Sequence, residues 1–156
     1  MAIEIERKFL VKSDLWKTSA DPGTQYSQGY LVGSKNASVR IRIEGSKAYI
    51  NIKSATIDIT RQEYQYEIPL AEATEMLETL CEKPLISKIR YHINHDSHLW
   101  EIDVFSGDNE GLIVAEIELD NVNEVFSKPE WLGQEVSDDV RYYNVNLVKH
   151  PYKDWS

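Results

Sequence analysis

Glu4 and Glu6, Arg40 and Arg42, Lys88 and Arg90, Glu101 and Asp103, and Glu116 and Glu118 are pairs of like charge set two residues apart, each with an isoleucine between. In an extended chain such a pair stands on one face, with the isoleucine on the other. Arg-x-Arg and Lys-x-Arg offer planar forks and point charges that suit phosphate oxygens. Glu-x-Glu offers hard oxygen ligands that suit magnesium or manganese. Together these types and spacings describe a site for a phosphate chain with bound metal.

The elements that must position these groups are mostly strands. The first is expected over roughly Ala2 to Lys12, where Ile3, Ile5, Phe9 and Val11 form the apolar face. Ser13 and Asp14 are helix-start residues before Leu15 and Trp16, and Asp21-Pro22-Gly23 reads as a turn. Strands follow at about Gln25 to Val32, Ser38 to Glu44 and Ala48 to Lys53, the last two joined at Gly45-Ser46. Another spans Ile59 to Ile68 and ends at Pro69. Leu70, Ala73, Met76, Leu77 and Leu80 then fall at helical spacing, predicting an amphipathic helix from Leu70 to Leu80. Alternation returns in Ile86 to Asn94, Leu99 to Phe105 and Leu112 to Leu119, with turn residues at Asp96-Ser97 and Gly107-Asp108-Asn109. Val140 to Val148 reads as a final short helix of poor periodicity. About eight strands with short connections and few helices predict an antiparallel α+β barrel or sandwich, formed by residues 1–156 as a single domain.

Alternation alone does not say which face points inward. An ordinary barrel would fill its inside with Ile41, Ile43, Ile50, Ile52, Ile102 and Ile117 and leave the charges in water. Two features favour the reverse. The marked faces are rich in Arg and Glu rather than Ser, Thr and Lys, and like charges two apart are unfavourable unless a counter-ion lies between them. Seven cations fall on those faces: Lys8, Arg40, Arg42, Lys53, Arg61, Lys88 and Arg90. Seven acids share them: Glu4, Glu6, Glu63, Glu101, Asp103, Glu116 and Glu118. The set is balanced, so the whole net charge of −9 lies on the remaining residues.

That net charge excludes general binding of nucleic acid or anionic membranes, so any bound anion needs a local basic site. No apolar run is long enough to span a bilayer, and Met1-Ala2-Ile3-Glu4 lacks the features of a secretory signal. The single cysteine, Cys81, forms no internal disulfide and suits a reducing compartment. A cytoplasmic protein is expected, as a monomer or homodimer.

Glu4-Ile5-Glu6-Arg7-Lys8 resembles the Glu-x-Glu-x-Lys signature of the CYTH superfamily, the triphosphate tunnel metalloenzymes, at the N-terminal place where that family has it. Val39-Arg40-Ile41-Arg42, Ile52-Lys53, Arg61-Gln62-Glu63, Lys88-Ile89-Arg90-Tyr91, Glu101-Ile102-Asp103-Val104-Phe105 and Ala115-Glu116-Ile117-Glu118-Leu119 follow in the family's order. The resemblance covers residues 2 to about 148. It implies an eight-stranded antiparallel β-barrel, a tunnel with a polar charged lumen, with a few helices covering its apolar outside. It further implies that Glu4, Glu6, Glu116 and Glu118 hold Mg²⁺ or Mn²⁺, with Asp103 and Glu63 as further candidates. Lys8, Arg40, Arg42, Lys53, Arg61, Lys88 and Arg90 are implied as the clamp for a small triphosphate substrate. Glu4, Glu6, Lys8 and Glu63 are the implied catalytic set, with a second ion or a carboxylate such as Glu63 activating water. Gln65 departs from the pattern, standing where relatives often carry a second glutamate. The implied activity is metal-dependent hydrolysis of inorganic triphosphate. The alternatives are a class IV-type adenylate cyclase, a nucleoside or thiamine triphosphatase, and a polyphosphate-binding module without catalysis.

Other features are set aside. His92, His95 and His98 flank a turn, so one face does not collect them as zinc ligands. Trp16, Trp100, Trp131 and Trp155 are dispersed and read as packing residues. Gly29, Gly33 and Gly45 lie outside any strand-to-helix phosphate loop. Cys81 reads as an inert thiol at a helix end, and Tyr142, Tyr143 and Asn144 read as packing.

Overall fold

In the computed structural model, residues 3–55 and 58–155 are described. Eight strands, β1 (Ile3–Val11), β2 (Thr24–Gly33), β3 (Ala37–Glu44), β4 (Lys47–Ser54), β5 (Thr60–Ile68), β6 (Ile86–His95), β7 (His98–Phe105) and β8 (Ile113–Leu119), pair in the order β5-β4-β3-β2-β6-β7-β8-β1. β1 returns to β5, so the sheet closes into a barrel, and all of these pairings are antiparallel. The strands follow the alternating segments of the sequence within a residue or two. Ala2, the expected start of the first strand, lies outside the described residues.

The turns have the conformations their residues favour. β6 and β7 are joined by Asp96 and Ser97, both at positive φ (45° and 70°), as a two-residue hairpin requires. Gly45, at φ 60°, turns β3 into β4.

The closing seam is short. β1 pairs with β5 only through Ile3, Glu4 and Ile5. Further along the same edge, Phe9 and Val11 pair with a ninth strand, β9 (Leu132–Glu135), which the sequence pattern did not reveal. Gly133 permits that pairing, since a Cβ there would lie 2.9 Å from the Leu10 carbonyl oxygen. Between the two partners the backbone of β1 is held individually. Glu6 N donates to Ile59 O (2.9 Å) and Lys8 N donates to Ser137 Oγ (2.9 Å).

Apolar side chains pack mainly outside the barrel. α1 (Leu70–Thr79) lays Ala73 and Leu77 over Ile41 and Ala48, one residue short of its expected end. Gly29 lies beneath the end of this helix, where a Cβ would meet Cys81 Cβ at 2.8 Å. On the opposite outer wall, Phe9, Ile93, Trp100, Ile102 and Ile117 pack with Trp16 and Trp131. Trp16 arrives on a 3₁₀ turn, Asp14–Thr18, capped by Ser13 as its residue type foretold.

A third cluster departs from the expectation of an inside that is ionic throughout. Tyr30, Ile86, Phe105 and Val114 share the strand parity of Gln28, Lys88, Asp103 and Glu116, yet they are buried against Tyr142, Leu147 and Val148. Leu147 and Val148 belong to α2 (Asn144–Lys149), so the C-terminal helix plugs one end of the barrel with apolar packing. Among the described residues no helix is long and apolar enough to cross a membrane.

Candidate active site

Beneath that plug a narrow chamber open to solvent occupies the barrel interior. Its walls carry Glu4, Glu6 and Lys8 from β1, Arg40 from β3, Lys53 from β4, Arg61 from β5, Arg90 from β6 and Glu116 from β8. One strand parity thus delivers eight of the expected site residues to one chamber.

The cations differ in how they are held. Arg90 makes a two-point pair with Asp103 (Nε to Oδ1 2.7 Å, Nη2 to Oδ2 2.9 Å) and also reaches Glu101 Oε2 at 3.2 Å. Lys88 Nζ donates to the same Asp103 at 2.8 Å, with both groups buried. Burial favours a protonated Asp103, but the charges of Arg90 and Lys88 outweigh it and hold this carboxyl well below the usual range. Lys8 Nζ donates to Tyr142 O (3.1 Å) and lies 3.6 Å from Glu116 Oε1. Burial opposes ionisation of Glu116 too, but Lys8 and Arg90 hold it at about 2. Arg40, only 6% exposed, has no ion pair among the described residues, and its Nε has no hydrogen-bond partner. A buried guanidinium without a counter-ion is costly unless an anion joins it.

The carboxylates complement that arrangement. Burial, the hydrogen bond with Glu63 and the nearby Glu6 push Glu4 up to about 8. Burial and the charge of Glu116 push Glu6 up to about 7. Glu63 is also buried, but its hydrogen bond from Glu4 and the charge of Lys53 outweigh that and hold it at about 2. Lys53 Nζ bridges the two, 3.2 Å from Glu4 Oε1 and 3.1 Å from Glu63 Oε2. The Glu63 contact is off the hydrogen-bonding direction, leaving Oε2 buried without a hydrogen bond among the described residues.

These donors fit a divalent cation. Glu6 faces Glu118 directly across β1 and β8, like charges that need a positive neighbour, whereas Glu101 and Glu116, facing across β7 and β8, already share Arg90. Among the described residues no three His, Cys, Asp or Glu side chains converge into a ready-made cage. Magnesium is commonly held by one or two carboxylates together with substrate phosphates, so paired glutamates beside open cations suffice.

Several expected site residues lie away from the chamber wall. Asp103 and Lys88 are buried behind Arg90, Glu63 stands behind Lys53, and Glu118 is exposed. Arg42 lies further along the barrel, between the Tyr26 and Tyr49 rings, where its Nη2 donates to Gln65 Oε1 at 3.0 Å. Gln65, the departure from the family pattern, also accepts from Asn51 Nδ2 at 2.8 Å.

Reading Tyr143 and Asn144 as packing residues needs correction, since both line the chamber. The Tyr143 ring lies 5.1 Å from Lys8 Nζ and 5.2 Å from the Arg61 guanidinium, and its hydroxyl donates to Ser137 O at 2.8 Å. Asp58 and Ser137 join them at the wall beside the β1 seam. No periodicity marks these loop positions. Gln28 on β2 and Asn51 on β4 stand opposite Arg42 and Arg40 of β3, so they share the lumen face, but as neutral residues they carry no charge pattern to mark them.

The three histidines go separate ways. His92 Nδ1 lies 3.3 Å from Asp21 Oδ2, His95 Nε2 lies 3.2 Å from Ser127 Oγ, and His98 Nε2 lies 2.6 Å from Glu124 Oε2.

Comparison with known proteins places this architecture. The model of the CYTH domain family matches residues 2–152. An inorganic triphosphatase of Acetivibrio thermocellus is 51% identical over 155 residues, covering 99% of each chain. An inorganic triphosphatase of Nitrosomonas europaea is 34% identical over 149 residues, covering 93% of this chain and 96% of the other. The crystal structure of the inorganic triphosphatase NE1496 superposes with a TM-score of 0.66 at 32% identity, over 95% of each chain.

Proposed function

This chain belongs to the CYTH domain family, and on that premise we propose that it is a hydrolase cleaving the terminal phosphoryl group of inorganic triphosphate inside its barrel. One observation carries the reading. Arg40 and Arg61 enter the chamber without acidic partners among the described residues, beside two glutamates that burial has driven towards protonation. A chelated phosphate chain supplies what both sets need: anionic oxygens for the guanidinium groups and a cation for the carboxylates. The naming of the similar proteins as inorganic triphosphatases supports the same substrate.

Hydrolysis of a phosphoric anhydride requires neutralised oxygens and a water in line with the leaving group, so positioning and electrostatics supply most of the catalysis. Glu4, Glu6 and Glu116 would hold Mg²⁺ or Mn²⁺. Bound there, such an ion would neutralise phosphate oxygens and favour attack by water. Arg40, Arg61, Lys53 and Lys8 bind the chain as point charges and forks. Arg90 is oriented by its two-point pair with Asp103, which therefore serves the clamp and is left out of the metal set. Glu118, exposed, is likewise set aside. Glu63 is a poor proton acceptor at about 2 and acts on Lys53 instead of on water. Tyr143 closes the wall over Lys8 and Arg61. The setting is the cytoplasm, consistent with Cys81 as a buried free thiol.

A phosphate-release screen over triphosphate, pyrophosphate, ATP and thiamine triphosphate, with Mg²⁺ or Mn²⁺, tests the reading. Triphosphate should give the highest kcat/KM, and Glu6→Gln should lose at least about a hundred-fold of it while keeping the wild-type circular dichroism. Cyclic nucleotide as the main product from ATP, or undiminished turnover in Glu6→Gln, overturns it.

A further inference from the structure

Five buried polar atoms crowd one level of the barrel without hydrogen-bond partners among the described residues: Gln28 Nε2 and Oε1, Arg40 Nε, Arg42 Nε and Asn51 Oδ1. Gln28 is 0% exposed and Asn51 1%. Buried polar groups are nearly always satisfied, so an entire glutamine amide left open inside a channel calls for a partner from the lumen, an ordered water or a ligand.

The strand register makes this level continuous. Gln28 stands opposite Arg42 on β2 and β3, Asn51 opposite Arg40 on β3 and β4, and Asn51 opposite Gln65 on β4 and β5. Gln65 Oε1 ties the outer part together by accepting from both Asn51 Nδ2 and Arg42 Nη2. Ser38 and Arg40 on β3, and Lys53 on β4, line the chamber, whereas Arg42, Gln28 and Asn51 do not. The amide level is therefore the floor on which the chamber ends.

We propose that Gln28 and Asn51 are specificity-determining residues that receive the innermost phosphoryl group and fix the length of phosphate chain the channel accepts. The inference rests on the triphosphate reading above and deepens it. Gln28 offers two N–H donors to phosphate oxygens. Asn51, with one of its two N–H groups donating to Gln65, leaves its carbonyl oxygen without a donor, and that oxygen repels a further phosphoryl group. Neither carries a positive charge, and the guanidinium beside them, Arg42, is already engaged by Gln65 Oε1 at 3.0 Å with Glu44 Oε2 3.8 Å away. The Arg42–Gln65–Asn51 tie holds the barrier in place.

Steady-state kinetics on inorganic triphosphate, tetraphosphate and long-chain polyphosphate, at saturating Mg²⁺ or Mn²⁺, test the floor. Removing it in Gln28→Ala or Asn51→Ala should shift the tetraphosphate-to-triphosphate ratio of kcat/KM about ten-fold towards the longer chain. Gln28→Glu keeps the shape but turns the floor anionic, and should raise the KM for triphosphate about ten-fold with a much smaller change in kcat. Circular dichroism checks folding. If the alanine variants do not fold, the ratio in Gln28→Asn, shortened by one methylene, decides in their place. Folded variants that keep both the wild-type ratio and the wild-type KM overturn the inference. A wild-type protein inert towards triphosphate overturns the functional reading itself, and this inference with it.

Discussion

Glu4 and Glu6 keep protons, in the folded protein free of metal, that ordinary glutamates release near 4.5. Burial is the main cause for both, followed by the contact with Glu63 for the first and the charge of Glu116 for the second. A group whose folded pKa is raised contributes stability that is complete below its unfolded value and is lost as pH rises through the folded one. The loss should therefore run from about pH 5 to pH 8. His92, raised mainly by its hydrogen bond to Glu101, adds to the same decline. Lys88 is pushed by burial down to about 8, and its contribution has the opposite sign only above that value. Thermal unfolding in chelator should give a Tm that falls between pH 5 and 8, with a shallower fall in Glu6→Gln. Excess Mg²⁺ should flatten the curve, because cation binding needs the ionised carboxylates and acts on the folded state alone. A Tm that rises across this window in chelator contradicts the charge placement.

The outer jacket and the lumen are built by opposite faces of the same strands, so they should separate under mutation. Leu77, 4% exposed, anchors α1 on Ile41 and Ala48 and does not reach the chamber. Leu77→Ala should lower the unfolding free energy by about 2–5 kcal/mol, as urea denaturation would measure, and leave the KM for triphosphate as it is. A raised KM at unchanged stability would mean that the helix shapes the site directly. The strands were legible because period-two patterning and glycine or aspartate turns agree, and α1 because its apolar stripe is unbroken. β9 was not, since Leu-Gly-Gln-Glu is too short to alternate and owes its pairing to the free edge of β1. The apolar plug was hidden for a different reason. Alternation fixes which face Tyr30, Ile86, Phe105 and Val114 share, but not that the lumen changes from ionic to apolar along its axis. Charged site residues announced themselves by type, whereas Gln28 and Asn51 are neutral and Tyr143 stands in an irregular segment.

On the scale of the whole molecule the charges are sorted by depth. Lys8, Arg40, Lys53, Arg61 and Arg90 line the chamber against Glu4, Glu6, Asp58 and Glu116, a formal excess of one positive charge. With a total of −9, the rest of the protein carries −10. Proton retention by Glu4 and Glu6 makes the metal-free chamber more positive still. A free phosphate chain is thus repelled at a distance and attracted at close range, an arrangement in which salt acts differently on the two terms. At 0.01 M ionic strength the screening length is about 30 Å, and the acidic exterior acts across the molecule. At 0.1 M it is about 10 Å, so the exterior is muted while contacts inside the water-poor chamber are screened much less. Raising NaCl over this range at fixed free Mg²⁺ should therefore hold kcat/KM for triphosphate level or raise it up to about three-fold, with the effect in kcat/KM and not in kcat. Near 1 M, where screening reaches about 3 Å, contacts at the mouth weaken and the value should fall. A kcat/KM that declines steadily from the lowest salt would show that a basic outer surface captures the substrate, and the positive interior would then be only the last part of a longer attractive path.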